Sequence, residues 1–174
     1  MGVTLRPATL ADAPLLRRWE REPHLIATLG DDDWQWETEL GRDLPWRASL
    51  IAEVGGHPIG FLEIIDPAAD EEQYWGDCGP GLRAVDIWVG DPGSLGRGLG
   101  TEMMTLALDR CFAAPDVTAV VIDPLFGNAA ARRFYERLGF AFVERRWFGD
   151  DDTAVYRLER AVWAECRARL TPAP

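Results

Sequence analysis

The sequence reads Leu95-Gly96-Arg97-Gly98-Leu99-Gly100-Thr101 at the point where a predicted strand gives way to a predicted helix. Glycines let a backbone approach an anion closely, and the free N–H groups and dipole at a helix start favour a phosphate there. Glycine-rich turns also occur where a chain only changes direction, so the surrounding sequence must decide. A P-loop is excluded because the chain has no lysine, and a dinucleotide fingerprint is disfavoured because the turn lies mid-chain.

Outward from this turn, hydrophobic periodicity predicts a mixture of strands and helices. Strands are expected at 3–6, 48–54, 58–64, 83–89, 118–122, 141–148 and 153–158. Helices are expected from a cap at Thr9 and Asp12 to about Pro23, and at about 33–40, 101–112 and 128–138. Pro23 is expected to stop the first helix, and Gly55-Gly56 to turn a β-hairpin. This order predicts an α/β or α+β domain with a largely antiparallel sheet flanked by about four helices.

Length and composition limit the classes of protein. With 174 residues and 47% hydrophobic content, we expect one domain spanning 1–174 around a single core. The net charge of −11 argues against nucleic acid or an anionic membrane as a partner and suits a cationic ligand, although acidity also serves solubility alone. The charge does not distinguish a monomer from a homodimer.

Cysteine content and hydropathy predict a cytoplasmic protein without a structural metal. Cys78, Cys111 and Cys166 form an odd set with no metal-ligand spacing, which fits reduced thiols. The sequence also has no stretch typical of a signal peptide or a membrane span.

The glycine turn and a second motif, Phe134-Tyr135-Glu136-Arg137-Leu138-Gly139-Phe140, together resemble the GNAT acetyltransferase superfamily. The resemblance implies the GNAT fold and acetyl-CoA as cofactor, with its pantetheine added as a strand. The residues that it implies for cofactor binding are Ile87, Trp88, Val89, Gly96, Arg97, Gly98, Leu99, Gly100, Thr101 and Asn128. Tyr135 would donate a proton to the leaving thiolate.

The segments 79–86, 123–128 and 151–156 resemble the aminoglycoside 6'-N-acetyltransferases more closely. This resemblance implies a small polycationic amine as substrate, Asp86 as the catalytic base, and Asp123 and Asp151 as ligands of ammonium groups. The other residues that it implies for substrate binding are Glu71, Trp75, Asp77 and Asp152, with Tyr74 beside Trp75 over the sugar rings.

Asp86 is also singled out by its surroundings. It lies in an otherwise apolar strand, where the alternation of side chains puts it on the same face as Trp88. A carboxylate in such a place needs a purpose or a partner, and Arg83 is the alternative partner. As a base, Asp86 would remove the proton of the attacking amine.

Aromatic residues in loops and short elements could stack on sugars, although core packing is the more common use of tryptophan. The candidates are Trp34, Trp36, Trp46, Tyr74, Trp75 and Trp147, of which two or three are expected to face ligand. The run Asp31-Asp32-Asp33 is expected to be a solvated helix start rather than a ligand site.

A direct transfer without a covalent enzyme intermediate is expected, because His24 and His57 are isolated from any Cys or Ser nucleophile motif. Two alternatives remain open. Another amine, such as a siderophore hydroxylysine, a polyamine or a protein N-terminus, could be the acceptor. The chain could also be a non-enzymatic module that binds acyl-CoA or sequesters an antibiotic.

Overall fold

A computed structural model describes residues 2–29 and 34–170. The strands are β1 Val3–Pro7, β2 Arg47–Val54, β3 His57–Ile65, β4 Leu82–Val89, β5 Ala119–Ile122, β6 Ala141–Phe148 and β7 Asp151–Glu159. The helices are α1 Ala13–Trp19, α2 Pro23–Leu29, α3 Trp36–Leu40, α4 Leu99–Ala113, α5 Ala129–Arg137 and α6 Arg160–Leu170.

The seven strands form one sheet in the order β1-β2-β3-β4-β5-β7-β6. The β1–β2, β2–β3, β5–β7 and β6–β7 ladders are antiparallel, and the β4–β5 ladder is parallel. The expected fold class, a mixed and largely antiparallel sheet with flanking helices, is therefore confirmed.

The helices differ from expectation in number and in bounds. The described residues contain six α-helices instead of about four, the additions being α2 and α6. Pro23 does not simply end the first helix, because α1 already stops at Trp19 and Pro23 begins α2. The fixed φ of proline suits the first turn of a helix, where its missing N–H costs nothing. The helix expected from residue 33 begins at Trp36, and the Asp31-Asp32-Asp33 run lies outside the described residues.

The chain is organised in two compact units. The first contains the described residues up to Ile65 together with Asp86–Ala107, and the second contains Asp66–Val85 together with the described residues from Leu108 onward. That the whole chain acts as one domain stays a prediction.

In the first unit the core is rich in aromatic rings. The ring centroids of Trp36 and Phe61 are 5.2 Å apart, and those of Phe61 and Trp88 are 4.7 Å apart. Trp34 stacks on Trp36 at 5.5 Å. Trp34 and Trp36 therefore pack with the core residues, which is the more common role that the sequence allowed for them.

In the second unit the side chain of Arg160, the first residue of α6, caps the C-terminal end of α4. Its guanidinium donates to the carbonyl of Phe112 at 2.8 Å, to that of Val117 at 2.7 Å and to that of Ala114. The last carbonyls of a helix have no intrahelical partner, so one cation here satisfies several acceptors at once. This arrangement fixes the start of β5, and thereby the position of the residues that follow it.

Candidate active site

The glycine turn between β4 and α4 has the shape of an anion site. Gly96 and Gly98 have φ values of 69° and 79°, and a Cβ atom added at either position would meet no atom within 4 Å. The N–H groups of Thr101 and Glu102 donate to the carbonyl of Gly98 at 3.0 and 3.3 Å. Because α4 begins at Leu99, the N–H groups of Leu99 and Gly100 have no intrahelical acceptor and can face a ligand. The exposed turn therefore fits a pyrophosphate.

The C-terminal part of β4 offers a backbone edge. The ladder to β5 ends at Ala84, so Asp86 to Val89 continue beyond it. Such an edge can pair with an extended ligand through main-chain hydrogen bonds, as an added strand would. The edge and the turn together fit the amides and the pyrophosphate of coenzyme A.

Tight packing fixes the end of β4. The N–H groups of Gly90 and Asp91 both donate to the carbonyl of Ile59, at 2.9 and 3.1 Å. A Cβ on Gly90 would lie 2.1 Å from Cδ2 of Trp19, so only glycine fits against this ring. The strand therefore enters the turn along one defined path.

Asp86 lies on this strand and is half-buried, while Trp88 is only 8% exposed. Arg83, the alternative partner named from the sequence, forms an ion pair with Asp66 at 3.2 Å. The role of Asp86 as a base stays a prediction.

In the second unit, aromatic rings form a wall beside two carboxylates. The ring of Tyr74 stacks on that of Phe148 with centroids 4.4 Å apart and an interplanar angle of 8°. Trp75 meets both rings edge-on, at 5.9 and 5.3 Å. The hydroxyl of Tyr74 donates to Oδ2 of Asp123 at 2.6 Å. We call Tyr74, Trp75, Phe148, Asp123 and Asp151 the acceptor cluster.

Strand register explains why the carboxylates of this cluster share one region. Asp123 follows the last residue of β5, and β5 pairs with β7. Asp151 begins β7 and lies directly opposite Phe148 across the β6–β7 hairpin. The pKa of Asp123 is raised to about 6, chiefly by burial and to a smaller extent by the charge of Asp151, while the hydrogen bond from Tyr74 opposes the rise.

The other residues expected to bind substrate lie in different settings. Glu71 and Asp77 are exposed on the loop that carries Trp75. Asp152 accepts two hydrogen bonds from Arg145, at 2.7 and 2.5 Å, so a cation is already paired with its charge. Because this pair is on the surface, it contributes little to stability.

The sequence did not identify Phe148 as a site residue. It lies at the end of a predicted strand, and its neighbours gave no polar signal. Its position before the Gly149 turn, directly opposite Asp151, could have indicated it. Trp147, a candidate for stacking on sugars, is 62% exposed and pairs across the hairpin with Asp152, and its role toward a ligand stays a prediction.

Asn128 caps the helix α5, and Tyr135 lies within that helix. The side chain of Asn128 accepts a hydrogen bond from the N–H of Ala131 at 3.1 Å and so caps the helix. Tyr135 is 8% exposed and packs edge-on against Phe134 and Phe140, at 5.1 and 5.7 Å. Both therefore have structural contacts, and their roles toward the cofactor stay predictions.

The described part of the chain contains no group of three or more His, Cys, Asp or Glu side chains that could hold a metal ion. Within the same residues, no helix is long and apolar enough to cross a membrane.

Comparison with known proteins agrees with this geometry. A family profile described as an acetyltransferase (GNAT) domain matches residues 8–148. The chain is 29% identical over 148 residues to the aminoglycoside N(6')-acetyltransferase type 1 of Klebsiella pneumoniae, covering 80% of this chain and 74% of that protein. It is 31% identical over 160 residues to the lysine N-acyltransferase MbtK of Mycolicibacterium paratuberculosis, covering 88% and 70%.

The solved structures include the aminoglycoside acetyltransferase AAC(6')-Ib in complex with coenzyme A. It superposes with a TM-score of 0.84 at 26% identity, covering 95% of this chain and 99% of that chain. A second structure of AAC(6')-Ib, with paromomycin and acetyl-CoA, has a TM-score of 0.83 at 25% identity and covers both chains fully. The chain therefore belongs to the GNAT acetyltransferases and is an N-acetyltransferase that uses acetyl-CoA as its acyl donor.

Proposed function

We propose that the acceptor is an aminoglycoside, acetylated on its 6'-amine. The acceptor cluster is the observation that carries this proposal. Aminoglycosides are sugar rings that bear several ammonium groups, and the cluster combines the carboxylates of Asp123 and Asp151 with three aromatic rings. Carboxylates pair with ammonium groups, and flat rings pack against sugar faces and cations. The net charge of −11 also favours the approach of a polycation.

The relatives support the same acceptor. Two of them are named as aminoglycoside N(6')-acetyltransferases, and solved structures of AAC(6')-Ib contain kanamycin or paromomycin. Each of these structures covers at least 95% of this chain.

The base in the proposed reaction is Asp86. An amine attacks a thioester only as the free base, yet carboxylates that bind an ammonium group raise its pKa. Binding and nucleophilicity therefore oppose each other at the reacting nitrogen. A carboxylate held at that nitrogen resolves the conflict by accepting the proton as the amine attacks. Asp86 has the half-buried position on a rigid strand that this role requires.

Other groups of the chain would hold the donor and stabilise charge. Bound acetyl-CoA supplies an activated acetyl thioester. The open edge of β4 would hold the pantetheine amides, the N–H groups at the start of α4 would hold the pyrophosphate, and Asn128 would contact the cofactor. A backbone N–H near Ile87 or Trp88 would stabilise negative charge on the acyl oxygen. Tyr135 would donate a proton to the departing thiolate.

Replacement of Asp86 tests the catalytic part of this proposal. Asp86→Asn keeps the size of the side chain and removes the base, so kcat should fall by roughly 10²–10⁴-fold. Folding, followed by circular dichroism, should be unchanged. A variant with normal turnover would exclude Asp86 as the base.

The variant Asp151→Asn tests the part of this proposal that concerns the acceptor. Loss of one ammonium ligand should raise the KM for an aminoglycoside by roughly tenfold or more and leave the KM for acetyl-CoA unchanged. Asp116→Asn is the matched control, because Asp116 is exposed, as Asp151 is. It precedes β5, whereas Asp123 of the acceptor cluster follows the other end of that strand. Equal KM values for the two variants would contradict the role of Asp151.

A lysine side chain is the second candidate acceptor, because MbtK is a lysine N-acyltransferase and is 31% identical to this chain. The acceptor cluster favours the aminoglycoside over it. A free lysine offers two amines beside its own carboxylate, and that carboxylate would be repelled by Asp123 and Asp151. Turnover of lysine-type amines that exceeds turnover of aminoglycosides would reverse this preference.

A further inference from the structure

His24 makes a contact that the proposed reaction does not use. Its Nε2 lies 2.9 Å from the carbonyl oxygen of Val89, the last residue of β4. A carbonyl oxygen only accepts hydrogen bonds, so Nε2 must carry the proton. The next residue, Leu25, is 3% exposed in the core and fixes α2 in place. The imidazole is therefore held at the end of β4 by a packed helix.

Peptide geometry identifies the edge of β4 that His24 contacts. The carbonyl of Val89 and the N–H of Gly90 belong to one peptide unit, which is trans because the described chain has no cis peptide bond. In a trans unit these two groups point in opposite directions. The N–H of Gly90 donates to the carbonyl of Ile59 on β3. The carbonyl of Val89 therefore points away from β3, along the edge that the β5 ladder leaves open after Ala84.

This edge is the one on which the proposed function places the pantetheine. An extended ligand added to a strand takes its register from the acceptors and donors that the edge still offers. His24 takes one of the two lone pairs of the Val89 carbonyl, and its ring lies beside that carbonyl, which leaves less room there for an amide N–H of the ligand. The ligand is then directed to the residues before Val89, where Asp86 lies.

We propose that His24 is a positioning residue for the acyl donor: its Nε2–H occupies the carbonyl of Val89 and thereby sets where pairing along β4 ends. This inference rests on the proposed placement of acetyl-CoA along β4 and does not depend on which amine is acetylated. His24 touches neither reacting group, so its effect is on the affinity and register of the donor.

The test compares two amides that mimic the two nitrogens of the imidazole. In His24→Gln the amide reaches the place of Nε2, and in His24→Asn it reaches only that of Nδ1. His57→Gln is the matched control, because His57 is the only other histidine and is exposed at the start of β3. Titration calorimetry with coenzyme A, without any acceptor, gives the donor affinity.

We expect His24→Asn to weaken coenzyme A binding by about fivefold to tenfold, because an edge whose end is no longer fixed lets the ligand pair in more than one register, at a cost similar to that of one hydrogen bond. His24→Gln should restore binding to within about twofold, and His57→Gln should leave it unchanged. In steady-state assays the KM for acetyl-CoA should rise with little change in kcat and in the KM of the acceptor.

Three results would overturn the proposal. The first is normal coenzyme A binding by a folded His24→Asn protein. The second is equal weakening in the Gln and Asn variants, which would assign the effect to the shape of the ring rather than to its donor. The third is weakening that appears only near the thermal unfolding transition, which would assign the effect to stability. Failure of the aminoglycoside to react would leave these binding results unaffected, so the two proposals fail independently.

Discussion

Replacing Asp123 by Asn should stabilise the fold while it weakens acceptor binding. Moving the pKa of this carboxyl from 3.8 to about 6 corresponds to about 3 kcal/mol, at about 1.4 kcal/mol for each pH unit. An amide also loses hydration on burial. We therefore expect the free energy of unfolding of Asp123→Asn to exceed that of wild type by about half of this, roughly 1–2 kcal/mol at pH 7.5. Asn still offers an oxygen to the hydroxyl of Tyr74, which keeps that hydrogen bond.

The pH dependence of this gain follows from linkage. Below about pH 4 the carboxyl is protonated in both the native and the unfolded state, so the gain should disappear and the variant should be no more stable than wild type. Between about pH 4 and pH 6 the native state keeps a proton that the unfolded state has lost, so wild-type stability falls as the pH rises. Above about pH 6 the full difference should be present.

Urea unfolding of both proteins at pH 4, 5, 6 and 7.5 measures this difference directly. Tyr74→Phe is an informative companion, because it removes the hydrogen bond that lowers the pKa of Asp123 and should raise that pKa further. If Asp123→Asn were no more stable than wild type at pH 7.5, or if its gain did not change with pH, the assignment of a destabilising buried carboxylate would be wrong.

Two further predictions concern stability. Arg160→Met should cost about 3 kcal/mol in urea unfolding, because three backbone carbonyls lose their donor, whereas Arg169→Met, which breaks an exposed ion pair, should cost under about 1 kcal/mol. Equal costs would contradict the capping role. Gly90→Ala should destabilise the protein by about 1–3 kcal/mol through overpacking against Trp19 and so lower the thermal midpoint, and Gly93→Ala, whose new methyl has ordinary contacts, should not.

The sequence correctly predicted the turns whose conformation is set by residues that are adjacent in the chain. The hairpin of β2 and β3 was expected because Gly55-Gly56 separates two apolar strands, and both glycines have the positive φ that a tight hairpin turn requires. The glycine turn before α4 was expected for the same kind of reason, since Gly96 and Gly98 also have positive φ. Each of these features depends on residues adjacent in the chain.

Features that depend on tertiary contacts were not predicted. The sequence predicts a stop at Pro23, whereas its role at the start of α2 depends on the packing of Leu25 in the core. Phe148 was missed because its partners, Tyr74 and Trp75, come from a loop more than seventy positions away. His24 is isolated in the sequence because Val89 approaches it only in the fold. Periodicity carries no information about such pairings.

The central claim is that this acetyltransferase acts on the 6'-amine of an aminoglycoside, and release of free thiol from acetyl-CoA tests it most directly. The purified protein should release thiol with kanamycin-type aminoglycosides that carry a 6'-amine. It should not do so with a matched aminoglycoside whose 6' position carries a hydroxyl, or with lysine or a polyamine. No release with the 6'-amines, together with release on lysine or a polyamine, would contradict the proposed acceptor.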